Sequence, residues 1–443
     1  MTFQKENNVV MKNFLGRTFF NSWQNWEKRK SDSNSFLNNY SGLEFDISDA
    51  CELNCKYCYV AKHGKEYYPD VNLTKPSLTF KNAKITMDWL EVNKMRPKLE
   101  LFGGDAYNQD VGFAITAEVM GRALAGRPIC TEIIVPTNMN FLFSEDRIKT
   151  IDELLAVGKK TGSPLYLSAS VDGIYMEENR SFRTNKVRDE KFYDRLFRFA
   201  KQHSIGFHPM VYSNNIEKWW GNFMWYQEKF KEYGLPPNNI YLLEVRNAEW
   251  TEEQCHHLYE FTRKLAKWVS GIIKTKPDPI KEFFKNHWSF NMLSTPFSQI
   301  GRGIGCSLQS GIYLRLGDLT TFPCHRLMYD YFKLFRFVIK NNKITDIETY
   351  NPELYIATNS MDAKNFPMCE QCLLEPMCSH GCLGAQFETT GDMFVPIPSM
   401  CRMEHYKIKG ILDGFRDGGM LDMILNAITP QKRIAVLAFL KEK

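Results

Sequence analysis

Between Leu43 and Gly271 the chain alternates short apolar runs with stretches of helical period, and this most narrows what it can fold into. Repeated strand-then-helix patterns give βα units whose strands lie parallel. The candidate strands are Leu43–Ser48, Lys98–Phe102, Glu132–Thr137, Leu165–Ser170, Ile205–Tyr212 and Ile240–Val245. Ile85, Trp89 and Val92 predict one face of an intervening helix; Leu258, Phe261, Leu265 and Trp268 predict another. Thr251-Glu-Glu-Gln254 reads as a capping box that starts the second of these. In such architectures ligands gather at the C-terminal ends of the strands. Several strand ends here are polar or glycine-rich: Gly103-Gly104-Asp105, Ser168-Ala-Ser170-Val-Asp172-Gly173, and Glu244-Val245-Arg246.

Right after the first candidate strand stands Cys51-x3-Cys55-x2-Cys58. Soft thiolate sets of this kind select iron–sulfur clusters or zinc. Zinc asks for a fourth ligand to close its tetrahedron, and the nearest candidate is His63. Three thiolates on a four-iron cluster leave one iron open to a small molecule. Twelve cysteines in a chain whose start has no apolar signal-like stretch point to a reducing, cytoplasmic setting and to metal rather than disulfides. The net charge of +5, with no Lys/Arg block, does not argue for a nucleic-acid partner, and no run approaches membrane-spanning length. At 443 residues the chain has room for two domains.

C-x3-C-x2-C with an aromatic, here Tyr57, before the last cysteine resembles the motif of the radical SAM family. The resemblance implies an α/β fold, a partial (β/α)6 TIM-like barrel over 41–272. It also implies that the Cys51/Cys55/Cys58 cluster binds and reduces S-adenosylmethionine, releasing a 5'-deoxyadenosyl radical, so these three cysteines are the catalytic set. Gly103, Gly104 and Asp105 stand where the family has Gly-Gly-Glu, which holds the methionyl amino group; the acid here is one methylene shorter. As a bare sequence the same stretch also reads as a plain turn. Ser168 and Ser170 are similar to the family's S-x-D-G serine, with Arg180, or alternatively Arg183, supplying a charge. Val245 joins Tyr57 among the expected cofactor contacts. Glu244 and Arg246 share one face of their strand, either over the substrate cavity or as a buried ion pair. His208 reads as a hydrogen-bonded core residue rather than a base.

The remaining array is Cys306-x17-Cys324, Cys369-x2-Cys372-x5-Cys378-x3-Cys382, and Cys401. It resembles the SPASM domain, expected over 301–404 after a bridge at 273–300. That resemblance implies two auxiliary [4Fe–4S] clusters, three in all. Cys369, Cys372, Cys378 and Cys401 would close the outer one; Cys306, Cys324 and Cys382 would hold the inner one. The inner set lacks a fourth cysteine, so either Cys255 joins it or one iron stays open; otherwise Cys130 and Cys255 read as ordinary buried thiols. Two hairpins are expected, Ile312–Leu316 with Thr320–Pro323 around Gly317-Asp318, and Phe335–Lys340 with Lys343–Ile347 around Asn341-Asn342. A helical segment over 1–40 and a helical tail over 405–443, its last helix opened by Thr429-Pro430, flank these parts.

The family modules together imply a peptide maturase: it abstracts hydrogen from a residue of a ribosomally made precursor peptide and installs a C–C, C–S or C–O crosslink. The alternative is an anaerobic sulfatase-maturating enzyme that forms formylglycine, or another protein-modifying relative. A separate leader-binding protein and a flavodoxin- or ferredoxin-type electron donor are the further partners implied.

Overall fold

The structure, a computed structural model, describes residues 42–285, 290–297, 311–351, 366–369, 372–378 and 380–441. The expected 1–40 segment, Cys306 and the glycines around it lie outside the described residues. The strands are β1 (Gly42–Asp46), β2 (Lys98–Phe102), β3 (Glu132–Thr137), β4 (Leu165–Ala169), β5 (Gly206–Phe207), β6 (Met210–Val211), β7 (Leu243–Glu244), β8 (Gly311–Arg315), β9 (Thr320–Phe322), β10 (Phe335–Lys340) and β11 (Lys343–Thr349). The chain divides into two compact units. One holds the residues up to Ser170, Arg180–Ile205 and Ser307–Met361; the other holds Val171–Asn179, Gly206–Cys306 and Asp362–Lys443.

In the first unit β1 to β4 run parallel in chain order, as the strand–helix alternation requires. The expected hairpins form, but not as a separate sheet: β8 pairs in parallel with the free side of β1, and β9, β10 and β11 continue antiparallel. The spatial order is therefore β11-β10-β9-β8-β1-β2-β3-β4. Asn341 and Asn342 both take positive φ, 52° and 57°, at the second hairpin's two-residue turn. At the first, Asp318 receives Arg315 through two bonds of 3.0 and 2.8 Å. Under the sheet Val60, Tyr67, Tyr68, Tyr313, Phe322 and Met328 form one apolar cluster.

Asp46, at the end of β1, is buried in that region and accepts hydrogen bonds from Tyr68 (2.7 and 2.9 Å) and Tyr313 (2.9 Å). Burial pushes its carboxyl from the ordinary 3.8 up to about 7; both hydroxyls and Arg315 pull the other way, and Asp49 adds to the rise. The folded protein thus keeps this proton to a higher pH than the unfolded chain does. Its contribution to stability is full below about pH 4 and is lost as pH rises toward about 7, on the order of a few kcal/mol. Asp46→Asn keeps an oxygen for both tyrosines, so the variant should lose less stability than wild type between pH 4 and 7 by chemical denaturation. Parallel curves for the two proteins would refute the assignment.

Two expected strands are corrected in the second unit. Ile205–Tyr212 splits into β5 and β6 around His208-Pro209, where proline offers no N–H to a ladder. Ile240–Val245 shortens to β7, which pairs in parallel with β6, plus an isolated bridge from Ile240 to Phe207. A smaller correction falls in the first unit: Ile85 is buried as predicted, but Val92, the last residue of helix Pro76–Val92, is 80% exposed. The capping box at Thr251 is present with both reciprocal bonds, and Leu258, Phe261 and Leu265 are buried on that helix, Glu252–Ile273. It packs alongside helix Pro398–Asp417. The helix opened by Thr429-Pro430 runs Pro430–Phe439, with the Thr429 side chain as its cap. Among the described residues no helix is long and apolar enough to cross a membrane.

Candidate functional site

The cysteine loop leaves β1 and is tied down mostly by main chain. Beyond the strand ends, Gly104 N donates to Ser48 O (2.7 Å) and Asp105 N to Ala50 O (3.2 Å). A Cβ on Gly103, whose φ is +128°, would lie 2.2 Å from Ser48 O, and one on Gly104 2.3 Å from Ala50 O. These glycines are therefore required by chain-to-chain approach at the root of the loop. From the other side Asn54 N donates to Ser181 O (2.8 Å), Arg183 N to Glu52 O (2.9 Å) and Arg183 Nε to Leu53 O (3.0 Å). Of the two candidate arginines, Arg183 thus braces the loop, while the Arg180 guanidinium lies 5.3 Å over the Tyr57 ring.

Cys51, Cys55 and Cys58 are half-buried thiols. Cys51 Sγ accepts from Leu53 N (3.5 Å), and Cys58 caps helix Tyr59–Tyr67 by accepting from Ala61 N (3.3 Å). Burial, then the charge of Asp105, pushes the Cys51 thiol up to about 12, with Cys55 and Cys58 adding to the rise. His63, the candidate fourth zinc ligand, sits among the rings of Tyr67 and Tyr329. Among the described residues no three His, Cys, Asp or Glu side chains converge on a single ion. By chemistry alone, three thiolates are a soft donor set of the kind that serves iron–sulfur clusters or zinc.

Asp105 is buried, and its carboxylate accepts from Tyr107 N (2.9 Å), Asn138 N (2.6 Å) and the Thr137 hydroxyl (3.2 Å to each oxygen). Burial lifts it to about 6 against these bonds. It ties the end of β2 to the end of β3. Ser168 and Ser170 are half-buried and share a face by alternation, and Ser170 N donates to Thr137 O (2.8 Å). In the second unit Val245 is buried and its N donates to Val211 O (3.0 Å).

Residues that the sequence did not single out support the loop. Gln109 Nε2 donates to Ser48 Oγ (2.6 Å), and Asn140 Nδ2 to Glu52 Oε1 (2.8 Å). Arg188 in turn grips Asn140 Oδ1 (3.2 and 3.1 Å). Asn140 stands just past β3, and that strand-end position was the only signal available.

In the second unit the thiols of the expected outer set act on one another electrostatically. Burial, then Cys401 and Cys372, pushes Cys369 up to about 11; burial, then Cys372, raises Cys401. Burial, then Glu404, pushes Cys378 up to about 12, with Cys401 adding to the rise. Cys372 and Cys401 are exposed. Of the inner set, Cys324 is buried in the first unit and Cys382 is half-buried in the second. Cys255 is fully buried, with Arg402 and Glu252 as its charged neighbours, and Cys130 is likewise buried.

No family model matches the chain, and no curated protein matches it. Solved structures do. The chain is similar to histidine-tagged anSMEcpe with bound AdoMet, at 14% identity and a TM-score of 0.56, over 89% of this chain and 98% of that one. The chain shares the fold of that structure. It is also similar to native anSMEcpe with bound AdoMet and Cp18Cys peptide, at 13% identity and a TM-score of 0.55, over 87% and 98% of the two chains. Streptococcus suis SuiB bound to S-adenosylmethionine is a looser likeness, at 12% identity and a TM-score of 0.44, over 84% and 77%.

Proposed function

We propose that this chain is a radical SAM enzyme that modifies a peptide or protein, and that its first product class is a crosslink within a ribosomally made precursor peptide. The reading is carried by the loop of Cys51, Cys55 and Cys58: three half-buried thiols on a main chain fixed from both sides. These residues would hold a [4Fe–4S] cluster, and Cys369, Cys372, Cys378 and Cys401 a second; Cys306, Cys324 and Cys382 are the proposed ligands of a third. When bound, the first cluster and S-adenosylmethionine supply a 5'-deoxyadenosyl radical, which takes a hydrogen atom from the substrate. The chain's own part is to orient and to bind. Gly103 and Gly104 set the height of the loop against β2. Arg180 and Tyr57 offer a cation and a ring beside it, and Ser168 and Ser170 offer hydroxyls at the end of β4.

Formylglycine formation in a sulfatase, the alternative that the sequence modules imply, is the second reading. A peptide substrate is supported by the anSMEcpe structure with bound Cp18Cys peptide. Anaerobically purified protein should contain iron and sulfide and, given dithionite, should convert S-adenosylmethionine to 5'-deoxyadenosine. A short peptide encoded beside the gene and co-expressed with the protein should lose two hydrogens, with a crosslink located by fragmentation. A product that instead takes up a hydrazide carries an aldehyde and supports formylglycine. Absence of 5'-deoxyadenosine from iron-loaded protein would overturn both readings.

A further inference from the structure

In the first unit the register of the parallel strands sets one row of side chains across a single face of the sheet: Tyr313 on β8, Glu44 on β1, Glu100 on β2, Ile134 on β3 and Tyr166 on β4. Parallel strands are usually apolar on both faces. This row instead puts two carboxylates side by side on neighbouring strands, where like charges repel. The row is not sealed: Glu44, Glu100 and Ile134 are half-buried, and Tyr166 is 51% exposed.

An imidazole answers one of the two acids. His325 Nδ1 lies 3.3 Å from Glu44 Oε2, and its ring stacks at 4.5 Å on Phe102, which shares the face of Glu100. The Tyr59 ring stands 5.5 Å from the same imidazole, and its hydroxyl is buried without a hydrogen bond. Glu100 makes no hydrogen bond or ion pair among the described residues; Lys98, on its own strand, reaches Glu132 at 3.4 Å. Burial, then the charge of Glu44, pushes the Glu100 carboxyl up to about 7, against His325 and Lys98. Glu244, in the second unit, shows the matched case. Lys407 lies 2.8 Å and Arg246 3.6 Å from it, and Glu404 closes the set at 2.7 Å from Lys407 and 3.5 Å from Arg246. The buried ion-pair reading of Glu244 is therefore the one the structure bears out. Glu100 has no such counter-charge, and a carboxylate held half out of water without one costs stability.

We infer that this row receives a cationic side chain, lysine or arginine, of the peptide substrate; this rests on the reading of the chain as a peptide-modifying enzyme. The alkyl stem lies along Ile134 and Tyr166, and the charge meets Glu44 and Glu100. Among the described residues no set of side chains is placed to hold a metal ion, so the cation is an organic one. The test is fluorescence anisotropy of the full iron-loaded chain with dansyl-Gly-Gly-Lys-Gly-Gly, and with norleucine or glutamate in place of the lysine. The lysine peptide should bind about tenfold more tightly than the norleucine one, and the glutamate one more weakly than either. Glu44→Gln combined with Glu100→Gln should erase the preference. Glu100→Gln alone should raise the melting temperature of the free protein by relieving an unmatched charge. A melting temperature that does not rise would make the carboxylate part of the fold and overturn the inference. Equal binding of the three peptides, or binding of none, by a chain that forms 5'-deoxyadenosine would overturn this inference alone. A chain that forms none would overturn the proposed function with it.

Discussion

Replacing Cys51, Cys55 and Cys58 together by alanine is expected to take 5'-deoxyadenosine formation to background while leaving the iron held in the second unit. The loop should keep its shape without its thiols. Its restraints are main-chain bonds, Gly104 to Ser48 and Asn54 to Ser181, with Arg183 bonded to Glu52 and Leu53. The side-chain restraints lost are the weak bonds that Cys51 accepts from Leu53, Asn108 and Asn138 and the cap that Cys58 gives to Ala61, and a lost cap costs about 1 kcal/mol. A loss of that size does not unfold a domain, so a dead variant would report chemistry rather than collapse. The checks are product quantitation, iron analysis and circular dichroism on one preparation. S-adenosylmethionine cleavage that survives the triple substitution would remove these cysteines from the mechanism.

The second large effect is expected at Gly414. Helices Glu252–Ile273 and Pro398–Asp417 approach along a stripe of glycines four residues apart. A Cβ on Gly410 would fall 2.2 Å from Thr262 Oγ1, one on Gly414 2.3 Å from Arg263 O, and one on Gly418 2.4 Å from the Ser270 side chain. At Gly414 the obstacle is backbone, which cannot rotate aside. Gly414→Val should therefore sit at the upper end of overpacking penalties, about 3 kcal/mol, and lower the melting temperature by roughly 10 °C. Because the same helix carries Cys401, Glu404 and Lys407, iron retained by the outer set should fall with it. Gly271→Ala is the control: that glycine is helical with nothing within 4 Å of its added Cβ, and the change should be neutral or stabilising by up to about 1 kcal/mol. Similar losses at Gly414 and Gly271 would show that the stripe is not a tight contact.

How much of this was legible in the sequence depended on how local each signal was. Periodicity and capping are local, and they located β2 and β3 to the residue and the start at Thr251. The cysteine spacings are local too, and they are read without knowing the fold. What escaped was set by partners far along the chain. Pro209 broke a strand that propensity alone would have continued. Asp105 accepts from Tyr107, Thr137 and Asn138, bonds that no spacing announces. The Gly410–Gly414–Gly418 stripe has meaning only opposite Thr262, Ala266 and Ser270. Lys407 stood in a tail that offered nothing but helical period, although it completes the charge set around Arg246.

The parallel pairing of β8 with β1 bears on how the chain is made. Leu43 must wait for Ile312, its partner across that ladder, so a growing polypeptide carries an unpaired inner edge until most of it has been synthesised. Exposed strand edges invite association with other chains. Cutting the gene after the strand–helix repeats would therefore yield a sheet with a raw flank, and the two halves are better regarded as one folding commitment than as exchangeable modules.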